Sequence, residues 1–205
     1  MRVTVIDYKA GNLTSVLKSL RRVGAECEVT DDPAVVARAE QIVLPGVGHF
    51  AATGRLDSAG LTEAVREAIG RGAPFLGICV GMQWLFSGSS EAPEQQGLSA
   101  FGERCDCFTE GKEKIPHVGW NSLEIKPESR LLKGISNGEF VYFTHSFRAP
   151  VTKDTAATTF YIEPFAAAVE CGNVMGVQFH PEKSGAAGLK ILTNFLTWTK
   201  ESAQC

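Results

Sequence analysis

Residues 74–83 read PFLGICVGMQ. The apolar run from Pro74 to Ile78 predicts a buried strand. Cys79 follows it, and a helical pattern containing Gly81, Met82 and Gln83 begins at once. A strand that feeds a helix through one nucleophilic residue has the sense of the elbow used by hydrolases. The small residues around Cys79 permit a sharp turn and close approach of substrate backbone. A helix N-terminus behind the sulfur favours the thiolate. The bland alternative is a buried cysteine acting as a small hydrophobe. The segment alone leaves both open.

Working outward, the first half alternates short apolar runs with helical stripes. Val3 to Ile6, Cys27 to Thr30 and Gln41 to Leu44 are β-rich. Leu13, Val16, Leu17 and Leu20 recur at helical spacing, as do Leu61, Ala64, Val65, Ala68 and Ile69. Strand and helix in alternation predict βαβ units around a parallel sheet. The second half changes character. Gly119 to Ile125, Glu139 to Phe143, Thr158 to Ile162, Phe165 to Val169 and Val174 to Phe179 are strand candidates. Turn signals such as Ser136-Asn137-Gly138 and Cys171-Gly172-Asn173 separate several of them. Hairpin-like spacing predicts an antiparallel or mixed extension of the sheet, and Leu189 to Leu196 a closing helix. The polar, breaker-rich stretch 87–97 (SGSSEAPEQQG) reads as a surface loop. The whole is expected to be an α/β, flavodoxin-like three-layer sandwich forming one domain over residues 1–205.

Composition narrows the function. The 205 residues carry a net charge of −3, with 44% apolar and 21% charged residues. No global basic field points to nucleic acid or an anionic membrane. No apolar run approaches the roughly 18 residues of a membrane helix. The apolar stretch of MRVTVIDYKAGN ends at Asp7, too early for a secretory signal, so a cytoplasmic protein is expected. Six cysteines are present, and in that compartment their thiols are expected to stay reduced. Cys105 and Cys107 have C-x-C spacing with no second ligand pair at zinc-like spacing, so no metal site is expected.

A second motif completes the first. Residues 177–182 read VQFHPE. In an extended chain, residues i and i+2 point the same way, so His180 and Glu182 can share a face. Glu182 then holds one imidazole nitrogen while the other takes the proton of Cys79. Both elements fall at strand ends, where sites of α/β sheets lie. A third motif is PGVGHF at 45–50, just past the predicted third strand. Gly46, Val47 and Gly48, with the N–H of Val80, can turn donors toward a developing oxyanion. Gly46, Gly48 and Ala51 also fit the dinucleotide pattern G-x-G-x-x-A. That reading fails because the match is not in the first βα turn and no acidic residue ends a strand about 20 positions later.

Together these segments resemble the class I, triad-type glutamine amidotransferases. More specific matches are similar to the glutaminase subunits of imidazole glycerol phosphate synthases. They are Asp7-Tyr8 with Gly11-Asn12, PGVGHF at 45–50, IPHVGWN at 115–121, YFTHSF at 142–147 and HPEKS at 180–184. The chain departs from that pattern at Lys9, where the family usually has Gly, at Phe147 for Tyr and at Val80 for Leu. The resemblance implies a subunit of a heterodimer that hydrolyses L-glutamine and passes ammonia to a (β/α)₈-barrel cyclase in histidine biosynthesis. It implies that Gln83, Glu91 and the backbone around Ser146 hold glutamine. It places Asn12, Trp120, Asn121 and Lys183 at or near the partner face. A fixed carboxylate for the ammonium and donors for the carboxylate are what a glutamine head group requires. His49, His117 and His145 are left as loop or interface residues. The mechanism needs no metal or organic cofactor. Three rivals stand beside this reading: another class I amidotransferase, a flavodoxin-like cofactor binder, and a non-catalytic interaction subunit.

Overall fold

The computed structural model describes residues 1–10, 13–109, 111 and 113–198. Asn12, expected at the partner face, lies outside them. In chain order the first half comprises β1 (Arg2–Ile6), α1 (Leu13–Arg22), β2 (Glu26–Thr30), α2 (Pro33–Ala37), β3 (Ile42–Gly46), a 3₁₀ turn (Phe50–Thr53), α3 (Gly54–Ser58), α4 (Leu61–Gly70), β4 (Phe75–Cys79) and α5 (Val80–Gln83). There follow β5 (Gly88–Ser89), β6 (Ala92–Gln96), β7 (Arg104–Cys107), β8 (His117–Ser122), β9 (Glu124–Ile125), β10 (Phe140–His145) and β11 (Phe147–Arg148). The chain then forms β12 (Thr155–Tyr161), β13 (Glu163–Cys171), β14 (Val174–Val177), a 3₁₀ turn (Pro181–Lys183) and α6 (Gly185–Leu196).

The main sheet has eight strands in the order β2-β1-β3-β4-β14-β13-β12-β9. The first five are parallel to one another. The last three add antiparallel. Strands β3, β4 and β14 are buried at every residue, which is why they read as unbroken apolar runs. Helix α1 packs on α6 and α2 on α4. The chain reverses direction between β1 and β3, so these pairs cover opposite faces and the carboxyl ends of the strands form a crevice there. The expected mostly parallel α/β sandwich with an antiparallel extension is the fold observed. No helix among the described residues is long and apolar enough to cross a membrane.

Four expectations need correction. Strand β3 runs two residues past Leu44, because its pairing with β4 continues to Gly46 opposite Cys79. The helix after Cys79 is one turn of four residues, since the chain must leave the sheet to build a lobe of short strands. Residues 87–97 are not a loop. They form β5 and β6, paired with β7 and β11 in a four-stranded sheet. There β5 is buried although its sequence is Gly-Ser. Strands β8 and β10 form a separate two-stranded ribbon and do not extend the main sheet. Among the cysteines, Cys27, Cys79, Cys105 and Cys107 are free.

Candidate active site

Cys79 takes φ 55° and ψ −111°, a region that L-residues rarely occupy and that costs on the order of 1–3 kcal/mol. The glycines beside it do not carry this strain. They make room for it. A Cβ on Gly81 would strike the carbonyl of Leu44, and one on Gly77 the carbonyl of Gly81. This close packing lets Cys79 hold the turn, so its sulfur stands off the carboxyl end of β4.

His180 follows β14, its backbone N–H donating to the carbonyl of Tyr142 at 2.9 Å. The extended-chain argument for Glu182 needs amending. His180 is extended, but Pro181–Lys183 is a 3₁₀ turn, and it is this turn that returns the carboxylate to the ring. Nδ1 of His180 lies 2.8 Å from Oε1 of Glu182, and both side chains are almost fully buried. A carboxylate only accepts, so Nδ1 carries the proton and Nε2 is the nitrogen left for Cys79. Nε2 makes no hydrogen bond of ordinary geometry, yet the sulfur is near enough to act on it electrostatically. Burial opposes the imidazolium, but the pull of Cys79 and Glu182 outweighs it and raises the His180 pKa to about 9. Such contacts tighten when substrate binds.

A consequence for pH follows. The raised pKa keeps His180 protonated until the pH climbs through about 9, so the acid that serves a leaving group is lost on the alkaline side. Glutamine turnover is expected to fall along a limb near that pH. Glu182→Gln removes one of the contacts that raise the value, so its limb should move to lower pH. Superimposable pH–kcat profiles for the two proteins would take Glu182 out of the pair.

A cleft of ≈ 250 Å³ opens over the sulfur. Val47, Gly48 and Val80 border one side of it, and Gln83, Glu91 and Ser146 also line it. Gly46 sits behind this wall, where a Cβ would lie 2.6 Å from the Tyr8 hydroxyl and 2.8 Å from the Gly81 nitrogen. Positive φ falls on Gly48 (95°) and not on Val47. The Glu91 carboxylate projects from the β5–β6 turn and accepts from the N–H of Phe50 at 2.7 Å, which ties it to the end of the Gly-rich loop. Gln83 is buried, and its Nε2 donates to the Phe147 carbonyl at 2.9 Å and to Oε1 of Gln178 at 3.0 Å.

His117 and His145 are not loop residues. They are buried and linked by a 3.1 Å ring-to-ring hydrogen bond. Burial lowers their pKa values to about 4 and about 3, so both are neutral. His49 caps the 3₁₀ turn at 50–53 by accepting from Ala51 N. Trp120 is exposed on β8, at 54%. Its ring meets Tyr142 edge-on at 6.1 Å, and Lys183 Nζ lies 5.5 Å from the Tyr142 ring. Val118 and Phe140 are exposed on this ribbon too. Asn121 donates to the Phe160 carbonyl at 3.0 Å and approaches His117 Nε2 at 3.3 Å. Lys9, at a usual family glycine, has φ 63°, which accounts for the glycine. Its ammonium is tied to Asp7 and Asp31 at 2.9 and 3.3 Å.

One neighbour of the sulfur was not anticipated. Nε2 of Gln178 donates to Cys79 Sγ at 3.6 Å. The signal was present: Gln178 precedes His180 by two in an extended chain, so both point the same way.

Comparison with known proteins identifies the family. The model of the class-I glutamine amidotransferase family matches residues 4–198. The imidazole glycerol phosphate synthase subunit HisH of Syntrophotalea carbinolica is 45% identical, over 94% of this chain and 98% of that one. HisH of Aquifex aeolicus is 46% identical, over 95% and 96%. Among solved structures, a glutamine amidotransferase superposes with a TM-score of 0.74 at 19% identity, covering 95% of this chain and 96% of that one. That last likeness speaks to the fold alone. On the strength of the family match and of these full-length identities, the chain belongs to the class-I glutamine amidotransferases, among the HisH subunits of imidazole glycerol phosphate synthase.

Proposed function

We propose that this protein hydrolyses glutamine to glutamate and ammonia and delivers the ammonia to a (β/α)₈-barrel cyclase, in a cytoplasmic heterodimer that forms imidazole glycerol phosphate and AICAR ribonucleotide. The observation that carries the reading is the buried His180–Glu182 pair beside the strained Cys79 at the floor of one cleft. Residues 1–205 act as a single amidotransferase domain in this reading.

Cys79 thiolate attacks the side-chain carbonyl carbon of glutamine. The carbonyl oxygen becomes an oxyanion, met by N–H donors of the Val47–Gly48 loop and of Val80. The C–N bond then breaks, and His180 gives its proton to the departing ammonia. Water, deprotonated by His180, opens the thioester and releases glutamate. Glu91 receives the ammonium of the substrate, while Gln83 and the backbone at Ser146 shape the far wall. Every step uses groups of this chain and the substrate.

Trp120, Asn121 and Lys183 form part of the partner face. The exposed Val118, Trp120 and Phe140 give it the apolar centre that hot spots require. Trp120→Ala is expected to weaken association with the barrel subunit by about 2 kcal/mol or more, with the fold unchanged. Calorimetric titration tests this, and undiminished affinity would remove Trp120 from the interface. The reading as a whole is tested by assaying glutamate release with and without the cyclase, its ligand being present. A complex that releases no glutamate would refute it.

A further inference from the structure

We propose that Gln178 is a catalytic residue of the glutaminase site: its side-chain amide donates a hydrogen bond to Cys79 Sγ, favours the thiolate and aims it at the substrate. The inference rests on the glutaminase reading above.

The direction of this bond is fixed by its neighbours. The Phe147 carbonyl can only accept, so the group of Gln83 that faces it at 2.9 Å is the NH₂. The same NH₂ lies 3.0 Å from Gln178, which must present its oxygen there. The nitrogen of Gln178 is left facing the sulfur, at 3.6 Å. Gln178 is fully buried, and its backbone N–H donates to the Ala167 carbonyl at 2.8 Å, continuing the ladder of β14 with β13. The donor is therefore held without water to compete for it.

The sulfur has a second contact of opposite meaning. Its thiol proton reaches the Thr144 carbonyl at 3.9 Å, an acceptor that serves only the protonated form. When the proton passes from Sγ to Nε2 of His180, the thiol becomes thiolate and the imidazole imidazolium, with nothing gained or lost overall. The bond to Thr144 disappears. The bond from Gln178 remains and becomes charge-assisted, about twice as strong as a neutral one. Gln178 thus favours the thiolate over the thiol, and so enlarges the fraction of the nucleophile that is ionised.

The test compares the full-length protein with Gln178→Met, which keeps the bulk and loses the donor, and Gln178→Glu, which puts an acceptor against the sulfur. Alkylation of Cys79 by iodoacetamide at pH 7, read by mass spectrometry of its peptide, is expected to slow about tenfold in Gln178→Met and further in Gln178→Glu. At pH 10, where thiols ionise without help, the Gln178→Met rate should return toward wild type. In the complete synthase, kcat for glutamine should fall about tenfold with KM within about twofold. Equal alkylation at pH 7, or a deficit as large at pH 10 as at pH 7, overturns the proposal. A raised KM with unchanged kcat also does so, because the amide would then only shape the glutamine site. If Gln178→Met does not fold, Gln178→Asn withdraws the donor by one methylene and is read the same way. Inactivity of the wild-type complex toward glutamine would instead defeat the glutaminase reading, which separates the two failures.

Discussion

Cys79→Ala is expected to abolish glutamine hydrolysis while the assembled synthase still forms product from added ammonium salts. The sulfur stands at the strained end of β4, beside a histidine whose other nitrogen is already engaged by Glu182. Cys105 is buried, with its sulfur 3.9 Å from the Gln83 carbonyl, and burial pushes its thiol pKa up. Removing the nucleophile of a triad costs about 10⁴ to 10⁶ in turnover, and the partners left behind do little without it. Ammonia-driven synthesis bypasses this chain's chemistry, so it should survive. Glutamate release and product formation, measured on the same complex, separate the two. Residual glutaminase above a few per cent would mean that another group attacks. Loss of the ammonia reaction would mean that the substitution damages the assembly. His180→Ala should be nearly as severe. Glu182→Gln should be milder, because it orients the ring and moves no proton itself, and the double variant should resemble His180→Ala alone.

The parallel half of the fold was legible because its signals are local. Buried strands such as Phe75–Cys79 are unbroken apolar runs, and helices such as Leu61–Gly70 carry an apolar stripe of the right period. The elbow and the His-Pro-Glu segment were legible for the same reason. Each keeps its chemistry within a few residues. What escaped depends on partners distant in sequence. Gly88-Ser89 has no apolar signature, and it becomes a buried strand only because Arg104–Cys107 runs beside it. Strands β8 and β10 pair so closely with each other, from Phe140–Ser122 to His145–His117, that hairpin spacing alone did not tell a separate ribbon from a sheet extension. The sharp turn at Cys79 was legible from its small flanking residues, whereas the positive φ of Cys79 itself was not. The packing of Gly81 on Leu44 shows that their role is closeness. Burial of the histidine pair was invisible to a reading that placed both residues by motif, and Gln178 was passed over because its partner Gln83 lies on another strand–helix unit.

The isolated chain is expected to be a poor glutaminase, and the proposed barrel partner, carrying the cyclase ligand, should raise turnover by about 10² to 10³. That is the usual cost of one missing oxyanion donor. The Gly-rich loop is built for such a gate. Its upstream end is fixed, because Gly46 pairs with Cys79 and is wedged against Tyr8 and Gly81. Its downstream end is fixed as well, because the N–H of Phe50 is held by Glu91. Only the peptides of residues 47–49 are left to turn. Gly48 carries φ 95°, a conformation that glycine enters and leaves more readily than other residues. Val47 is β-branched and resists positive φ, so the flip has to be carried by its glycine neighbour. A route from the proposed partner face to the site is also present. Trp120 and Lys183 both pack against the ring of Tyr142, whose carbonyl receives the backbone N–H of His180. Docking on that face therefore bears on the residue that must protonate ammonia, and the exposed Val47 is available to the partner directly. A partner shifts the loop only by as much as it prefers the flipped state, so a hundredfold rise requires about 2.7 kcal/mol of that preference. Turnover of the free chain, the complex, and the complex with the cyclase ligand decides the matter. Equal kcat in all three would refute the gate. A fall in KM at constant kcat would mean that the partner organises glutamine binding, with the oxyanion donors already in place.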